Sequence, residues 1–383
     1  MSCKNIYLLS YDVMSPVIPS ECSFVDILFS PEKYLEDNQQ FDMVALIKPY
    51  ARELRRMNRT SSIAYISATN AIKDSKLIEK GYDSYRFGTI CSTTNASYEN
   101  VLHILNSLYS KGSNEVSPID FTYSVGNSLL SGITKKYQLK GTSGVFPSSE
   151  PLFISKMILN DEDADYLLLG SYNICLDENL KYYSQIDFMR DNLNTSNATD
   201  NLGMVIRESA VSMVLGNEKI DVSDKAAQLC SIVQIMKTNS SKERYEKSQL
   251  NACSAYDVDF RVEFAEFEQK DFRKAMELAL NEANVMKEEI DAVFSCSCGN
   301  LSMSKAEGSA IEELFAGKTV VKCLETFGGN FGGNFMINSI AAAECLKRNQ
   351  LPGVEKTQNP LKCVLVTGFN DLGNIISGVW KWS

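Results

Sequence analysis

Histidine is almost missing from this chain: among 383 residues there is one, His103. Any mechanism that needs two imidazoles is excluded before geometry is considered. Basic residues are also in deficit, 38 Lys and Arg against 48 Asp and Glu, giving a formal net charge of -10. Nucleic acid and anionic membrane surfaces repel such a chain at long range, so neither is expected as a partner. No stretch approaches ~18 consecutive apolar residues, so no membrane-spanning helix is expected. The opening MSCKNIYLLSYDVMSPV lacks the charged start, apolar run and small-residue cleavage pattern of a secretory signal, which points to the cytoplasm.

What is present is ordinary globular material, 44% hydrophobic and 22% charged, long enough for one large or two fused medium domains. The 11 cysteines, an odd number, sit in apolar runs such as AAQLCSIV and AAAECLKR and read as buried free thiols rather than a disulfide framework.

Strand and helix patterns alternate along the chain. NIYLLSYDVMSPV reads as a strand ended by Ser-Pro; PEKYLEDNQQ and DMVALIKPYARELRR read as helical, and SSIAYISAT as a strand. NASYENVLHILNSLYSKG has apolar residues at 98, 101, 102, 105, 108 and 109, the spacing of a helix that stops at Lys-Gly. GTSGVFPSSE (141–150) is a turn-rich elbow before the helix PLFISKMIL, and DADYLLLGSYNIC is a short buried strand. RDNLNTSNATDN is a loop by composition, and the polar tract KTNSSKERYEKSQLNACSAY is the candidate join between halves spanning 1–236 and 237–383. The second half repeats the order: helix DFRKAMELALNEANV, strand DAVFSCSC, helix KAEGSAIEELF, strand KTVVKC, helix FMINSIAAAECLKR, strands KCVLVTGF and NIISGVW. Such alternation predicts a duplicated, layered α/β core with parallel sheets.

Over nearly its whole length, and in the right order, the chain resembles the thiolase-fold β-ketoacyl synthases. The resemblance rests on VSPIDFTYSVGNSLLSGITKKYQLKG, DADYLLLGSYN, NLGMVIRESAVSMVL, KAEGSAIEELF, GGNFMINSIAAAECLKRNQLPG and GFNDLGN. It implies two βαβαβαββ halves in an αβαβα arrangement, working as one unit. Active members use a cysteine at the N-terminus of a buried helix, which takes the acyl chain, and two histidines, which assist decarboxylation and steady the oxyanion. Counted from Gly141, the cysteine position falls on Glu150; counted back from Asp163, it falls near Val145. The first histidine position falls on Cys296, and the second on Gly329 or its neighbour Gly328. All three catalytic groups are replaced, and His103 lies upstream of both histidine positions.

Within that family, the chain-length factors of type II polyketide synthases have lost the cysteine and usually carry glutamine there; this chain has Glu150. The resemblance makes ASYE (96–99) the start of the helix that lines the polyketide tunnel at a heterodimer interface, with gate positions Tyr98, Val101 and Leu105 and a further tunnel residue at Leu180. Periodicity alone makes 98, 101, 105 and 108 the buried stripe of an amphipathic helix, and the two readings are compatible. The implied partners are an active ketosynthase, an acyl carrier protein and the growing polyketide. No cofactor and no metal is called for: Cys296 and Cys298 lack further zinc ligands, and FGGNFGGNF lacks the Lys-Ser/Thr of a phosphate loop. Ser148 or Ser149 reads as a helix cap, with Glu150 and Pro151 entering the first turn. The family's closing loop is altered to GFNDLGN, which puts Phe369 or Asn370 at the acyl gate. Three alternatives stand beside this reading: a partner for a polyene or fatty-acid-type ketosynthase, an acyltransferase or decarboxylase using Glu150, Ser149 or Cys296, and a purely structural subunit.

Overall fold

A computed structural model of the chain describes residues 6–33, 38–93, 97–146, 150–177, 180, 205–217, 226–236, 268–297, 302–329, 333–354, 360–370 and 374–382. The loop RDNLNTSNATDN, the join KTNSSKERYEKSQLNACSAY, Ser148, Ser149 and Cys298 lie outside them.

Among the described residues, ten strands carry the architecture. In the first half they are β1 (Ile6–Met14), β2 (Phe87–Ser92), β3 (Ser143–Phe146), β4 (Tyr166–Asn173) and β5 (Ser209–Gly216). In the second they are β6 (Ala227–Met236), β7 (Ala292–Ser295), β8 (Thr319–Val321), β9 (Cys363–Phe369) and β10 (Asn374–Trp382). Their spatial order is β3-β2-β4-β5-β1-β6-β10-β9-β7-β8, so each half uses the same order and the two meet at their first strands. Among the described residues that meeting is slight: β1 pairs with β6 at Ile6↔Leu229 and Tyr7↔Gln228. The chain is therefore two five-stranded sheets of the same topology, and the second set opens with β6, upstream of the polar tract.

The sheets are mixed rather than parallel. β2 runs parallel to β3 and β4, and β7 parallel to β8 and β9, as helical crossovers require, whereas β5 and β10 run antiparallel to β4 and β9. The short link from β9 to β10 cannot make a crossover, so that pair closes as a hairpin.

Helices fill three layers. Outside the first sheet lie α1 (Arg59–Asp74), against β1, β4 and β5, and α4 (Ser128–Tyr137), against α1 and β2. Between them in sequence come α2 (Tyr98–Lys111) and α3 (Pro118–Thr122), packed on each other. Outside the second sheet lie α6 (Gln269–Ala283), against β6 and β10, and α7 (Ser302–Phe315), against α6 and β7. The central layer holds α5 (Pro151–Asn160), which touches β2, β4 and β6, and α8 (Asn334–Arg348), which touches β7, β9, β10, β6 and β1. Each central helix thus contacts both sheets, which accounts for the predominance of apolar residues in PLFISKMIL and the small-residue run INSIAAAEC.

Three local expectations change. Among the described residues of PEKYLEDNQQ, only the 3-10 turn Pro31–Lys33 is helical. SSIAYISAT is not a strand: it lies within α1, whose cap Asn58 accepts from Ser61 N at 2.8 Å. Ser, Ala and Ile are buried on several faces of that helix, so the one-sided 3.6-residue pattern is lost. The strand β2 lies in FGTICS, where burial on both faces removes the alternation that marks a half-exposed strand. The eight described cysteines are free thiols, most of them buried.

Candidate functional site

The elbow is assembled by backbone contact. Gly141 N donates to Phe87 O at 3.1 Å and Thr89 N to Thr142 O at 2.9 Å, laying the elbow against β2. A Cβ on Gly141 would meet the backbone of Phe87 and Gly88 at 2.7–2.9 Å, so a side chain there would push the strands apart. Val145 lies inside β3, paired with Cys91, and not at a helix terminus.

Glu150 is the N-cap of α5, with Pro151 at the first helical position, one step earlier in the helix than the serine-cap reading placed it. Its Oε1 accepts from Leu152 N at 3.2 Å, and the side chain is buried. Burial pushes the carboxyl up to about 8, against the smaller opposing effect of the Leu152 N–H bond. At neutral pH Glu150 is therefore a neutral acid held on a helix, able to share a proton and not to act as a carboxylate nucleophile.

Cys296 follows β7 and is buried. Its N–H donates to Thr367 O at 3.1 Å, and its Sγ accepts from Asn338 Nδ2 of α8 at 3.0 Å. The thiol fits against β9 because residue 368 is glycine; a Cβ there would stand 2.4 Å from the sulfur. The same corner holds Glu307 of α7, whose Oε2 accepts from Ser295 Oγ and Ser297 Oγ, both at 2.6 Å. Burial pushes that carboxyl up to about 7, with the serine hydroxyls opposing the shift. β7, α7 and α8 are thus tied by a buried polar knot where the resemblance expects an accessible imidazole. Nothing in SCSCGN announces it, since the acceptor comes from another helix.

Gly329 is held by its backbone: its N–H donates to Val205 O at 2.8 Å, and Arg207 N donates to its carbonyl at 3.3 Å. Gly328 has φ +71, and a Cβ there would meet the Arg207 side chain at 2.8–2.9 Å. Neither position offers a side chain to a reactant. Beside them stands a group that the sequence reading passed over, the buried Glu208. It accepts from Arg59 Nη2 at 2.7 Å, Phe41 N at 2.7 Å and Cys175 N at 3.1 Å. Burial raises its pKa and Arg59 opposes that rise. Its only trace in the sequence is a charged pair, RES, at the mouth of an apolar strand. At the other candidate gate, Phe369 packs edge-on against Phe272, and Asn370 N donates to Asn374 O at 3.0 Å.

The gate positions lie on a different surface. Of the residues in α2 only Asn100 is buried; Tyr98, Leu105 and Leu108 are 40%, 38% and 40% exposed, and Val101 is half-buried. The stripe at 98, 101, 105 and 108 therefore exists but does not face the core of this chain. Ile119, Phe121 and Val125, in and just after α3, add further exposed apolar surface, and Phe146 is exposed in the edge strand β3. Leu180 is not brought to that surface; it packs against the main core. His103 is exposed on α2, its Nδ1 2.7 Å from Asp120 Oδ2.

Among the described residues, no helix is long and apolar enough to cross a membrane, and no three His, Cys, Asp or Glu side chains gather as metal ligands.

No family model and no curated protein sequence matches the chain. Solved structures do. The ishigamide ketosynthase/chain length factor superposes with a TM-score of 0.78 at 14% identity, covering 99% of each chain. A β-ketoacyl synthase from Burkholderia phymatum gives 0.77 at 15%, over 99% of this chain and 100% of that one. A type II PKS acyl-carrier protein in complex with its ketosynthase bound to the hexaketide, AntDE:AntF, gives 0.76 at 13%, with the same coverage. The chain thus has the thiolase-like fold of the ketosynthases and chain length factors.

Proposed function

We propose that this chain is a non-catalytic, chain-length-factor-like subunit that pairs with a cysteine-bearing ketosynthase and shapes the tunnel in which a polyketide grows. The observation that carries this reading is Glu150: a buried, neutral carboxyl caps the central helix α5, at the position where the resemblance puts the thiolate of an active relative. The replacements at Cys296 and Gly329 point the same way, one locked into a polar knot and the other without a side chain.

The apolar face of α2 and α3 supports the pairing, because large side chains left in water favour burial against a second surface by roughly 25 cal/mol per Å². Pairing would put Tyr98, Val101 and Leu105 beside the partner's acyl chain. A chain stops growing when its next unit must displace a packed side chain, at a cost of about 1–3 kcal/mol per overfilled site. The acyl carrier protein docks mainly on the partner, since an acidic carrier is repelled by a chain of net charge -10. Sequence positions 1–236 and 237–383 act together as one unit, in the cytoplasm.

The gate assignment is tested by product length in the reconstituted pair. Tyr98→Ala is expected to shift the distribution toward longer products, and Val101→Trp or Leu105→Trp toward shorter ones, read by mass spectrometry of the released polyketides. An unchanged distribution across all three variants would remove these residues from the gate.

A further inference from the structure

The helix α2 is fastened to the body of the chain by polar groups. Among the described residues, no apolar side chain of α2 or α3 joins a hydrophobic cluster of the chain. The two helices pack on each other, and the one buried residue between them is polar, Asn100. Its neighbour Glu99 takes a hydrogen bond from the backbone N–H of Arg59, the first residue of α1. Both links therefore run to the start of α1.

Asn100 stands in the middle of a hydrogen-bond chain whose direction is fixed at both ends. One end is a pure donor: the backbone N–H of Ser61 donates to Oδ1 of Asn58, the cap of α1, at 2.8 Å. That leaves Asn58 Nδ2 to donate to Asn100 Oδ1, and Asn100 Nδ2 to donate to Asp120 Oδ1 of α3 at 3.2 Å. The other end is a pure acceptor, the Asp120 carboxylate, whose Oδ2 lies 2.7 Å from Nδ1 of His103 on α2. The amide at position 100 accepts from one neighbour and donates to the other. A carboxylate there could only accept, and an apolar side chain could do neither. A buried amide with both partners in place fixes one pose between helices, where apolar contacts alone allow several.

We propose that Asn100 is a positioning residue for the gate: the chain Asn58–Asn100–Asp120 sets the pose of α2, and with it Tyr98, Val101 and Leu105, before the partner arrives. The proposal rests on the chain-length-factor reading and adds to it residues that touch neither partner nor product. The exposed outer link to His103 contributes little, as a solvated pair.

Asn100→Asp sets two carboxylates against each other. Adding Asp120→Asn turns that bond round, since the new amide donates to the new carboxylate while Asn58 still donates to it. Asn58→Ser keeps a cap for α1 and removes the donor to Asn100, so it tests the same chain if Asn100→Asp fails to fold. Each full-length variant is followed by hydrogen exchange alone, and by pairing affinity and product length with the ketosynthase. Asn100→Asp and Asn58→Ser are expected to speed exchange across 98–111 about tenfold or more while sparing the core of α1, to weaken pairing to a similar extent, and to spread the products over neighbouring lengths. The double variant is expected to restore all three to near the parent's values. Unchanged exchange in α2, no rescue by Asp120→Asn, or parental product lengths from a loosened α2 would overturn the proposal. A parent chain that fails to pair at all would instead sink the heterodimer reading, and the gate role with it.

Discussion

The double replacement Leu105→Asp and Leu108→Asp is expected to leave the isolated chain folded and to abolish its co-purification with a ketosynthase partner. Both leucines are more than a third exposed, so the monomer's core does not depend on them. In the pair each would be buried, contributing about 1–2 kcal/mol from apolar area. An aspartate there must either be desolvated or hold the surfaces apart, which adds about 2 kcal/mol or more per site. Together the losses amount to roughly 5 kcal/mol or more, a weakening of over a thousandfold. Size-exclusion chromatography of the co-expressed proteins, with a thermal melt of the variant alone, separates the outcomes. If the melt collapses, the stripe serves this chain's own core; if the pair survives, the interface lies elsewhere.

Glu150→Gln is expected to stabilise the chain in alkali and to do nothing in acid. The sign follows from the direction of the shift. The native carboxyl is pushed up to about 8, while the unfolded one titrates near the ordinary 4.5. Between those values the unfolded state gains stability by ionising and the native state cannot, at about 1.4 kcal/mol per pH unit. The penalty is absent below about pH 4.5 and complete above about pH 8, where it reaches roughly 3–5 kcal/mol. Glutamine keeps an oxygen for Leu152 N and has no proton to lose, so the difference between variant and parent should open over that window. Glu307 and Asp12, pushed up to about 7 and about 6, impose the same trend on both proteins and cancel in the comparison. Denaturant melts at pH 4.5, 6, 7.5 and 9 measure it; parallel stability curves would mean that Glu150 is solvated and ionised in the native state.

The order of elements was legible because each half spells helix and strand in turn, and the strand pairing repeats that order in the second sheet. Legibility failed where burial on several sides erased periodicity, as in α1 and β2. It failed again where a pattern was real but its facing was not encoded: 98, 101, 105 and 108 define one side of α2, and only the packing of neighbouring elements shows that this side meets no core. Counting from Gly141 puts the nucleophile position on Glu150, and counting back from Asp163 puts it near Val145. The strand pairing of Val145 with Cys91 and the capping bond from Leu152 to Glu150 separate a strand residue from a helix cap. The knot around Glu307 ties Ser295 and Ser297 at the end of β7 to the next helix and Cys296 to Asn338 of α8, contacts between elements that no local pattern carries.

The central claim is that this chain does no acyl chemistry itself and yet is required for it. The direct measurement supplies malonyl and acyl carrier protein to the purified chain, to the ketosynthase and to the pair, following carbon dioxide release, product, and intact mass of both subunits. The account predicts no carbon dioxide and no acyl adduct on this chain in any mixture, with elongation by the pair and the acyl group on the partner's cysteine. Decarboxylation by the isolated chain, or a covalent acyl adduct on it, would contradict the account.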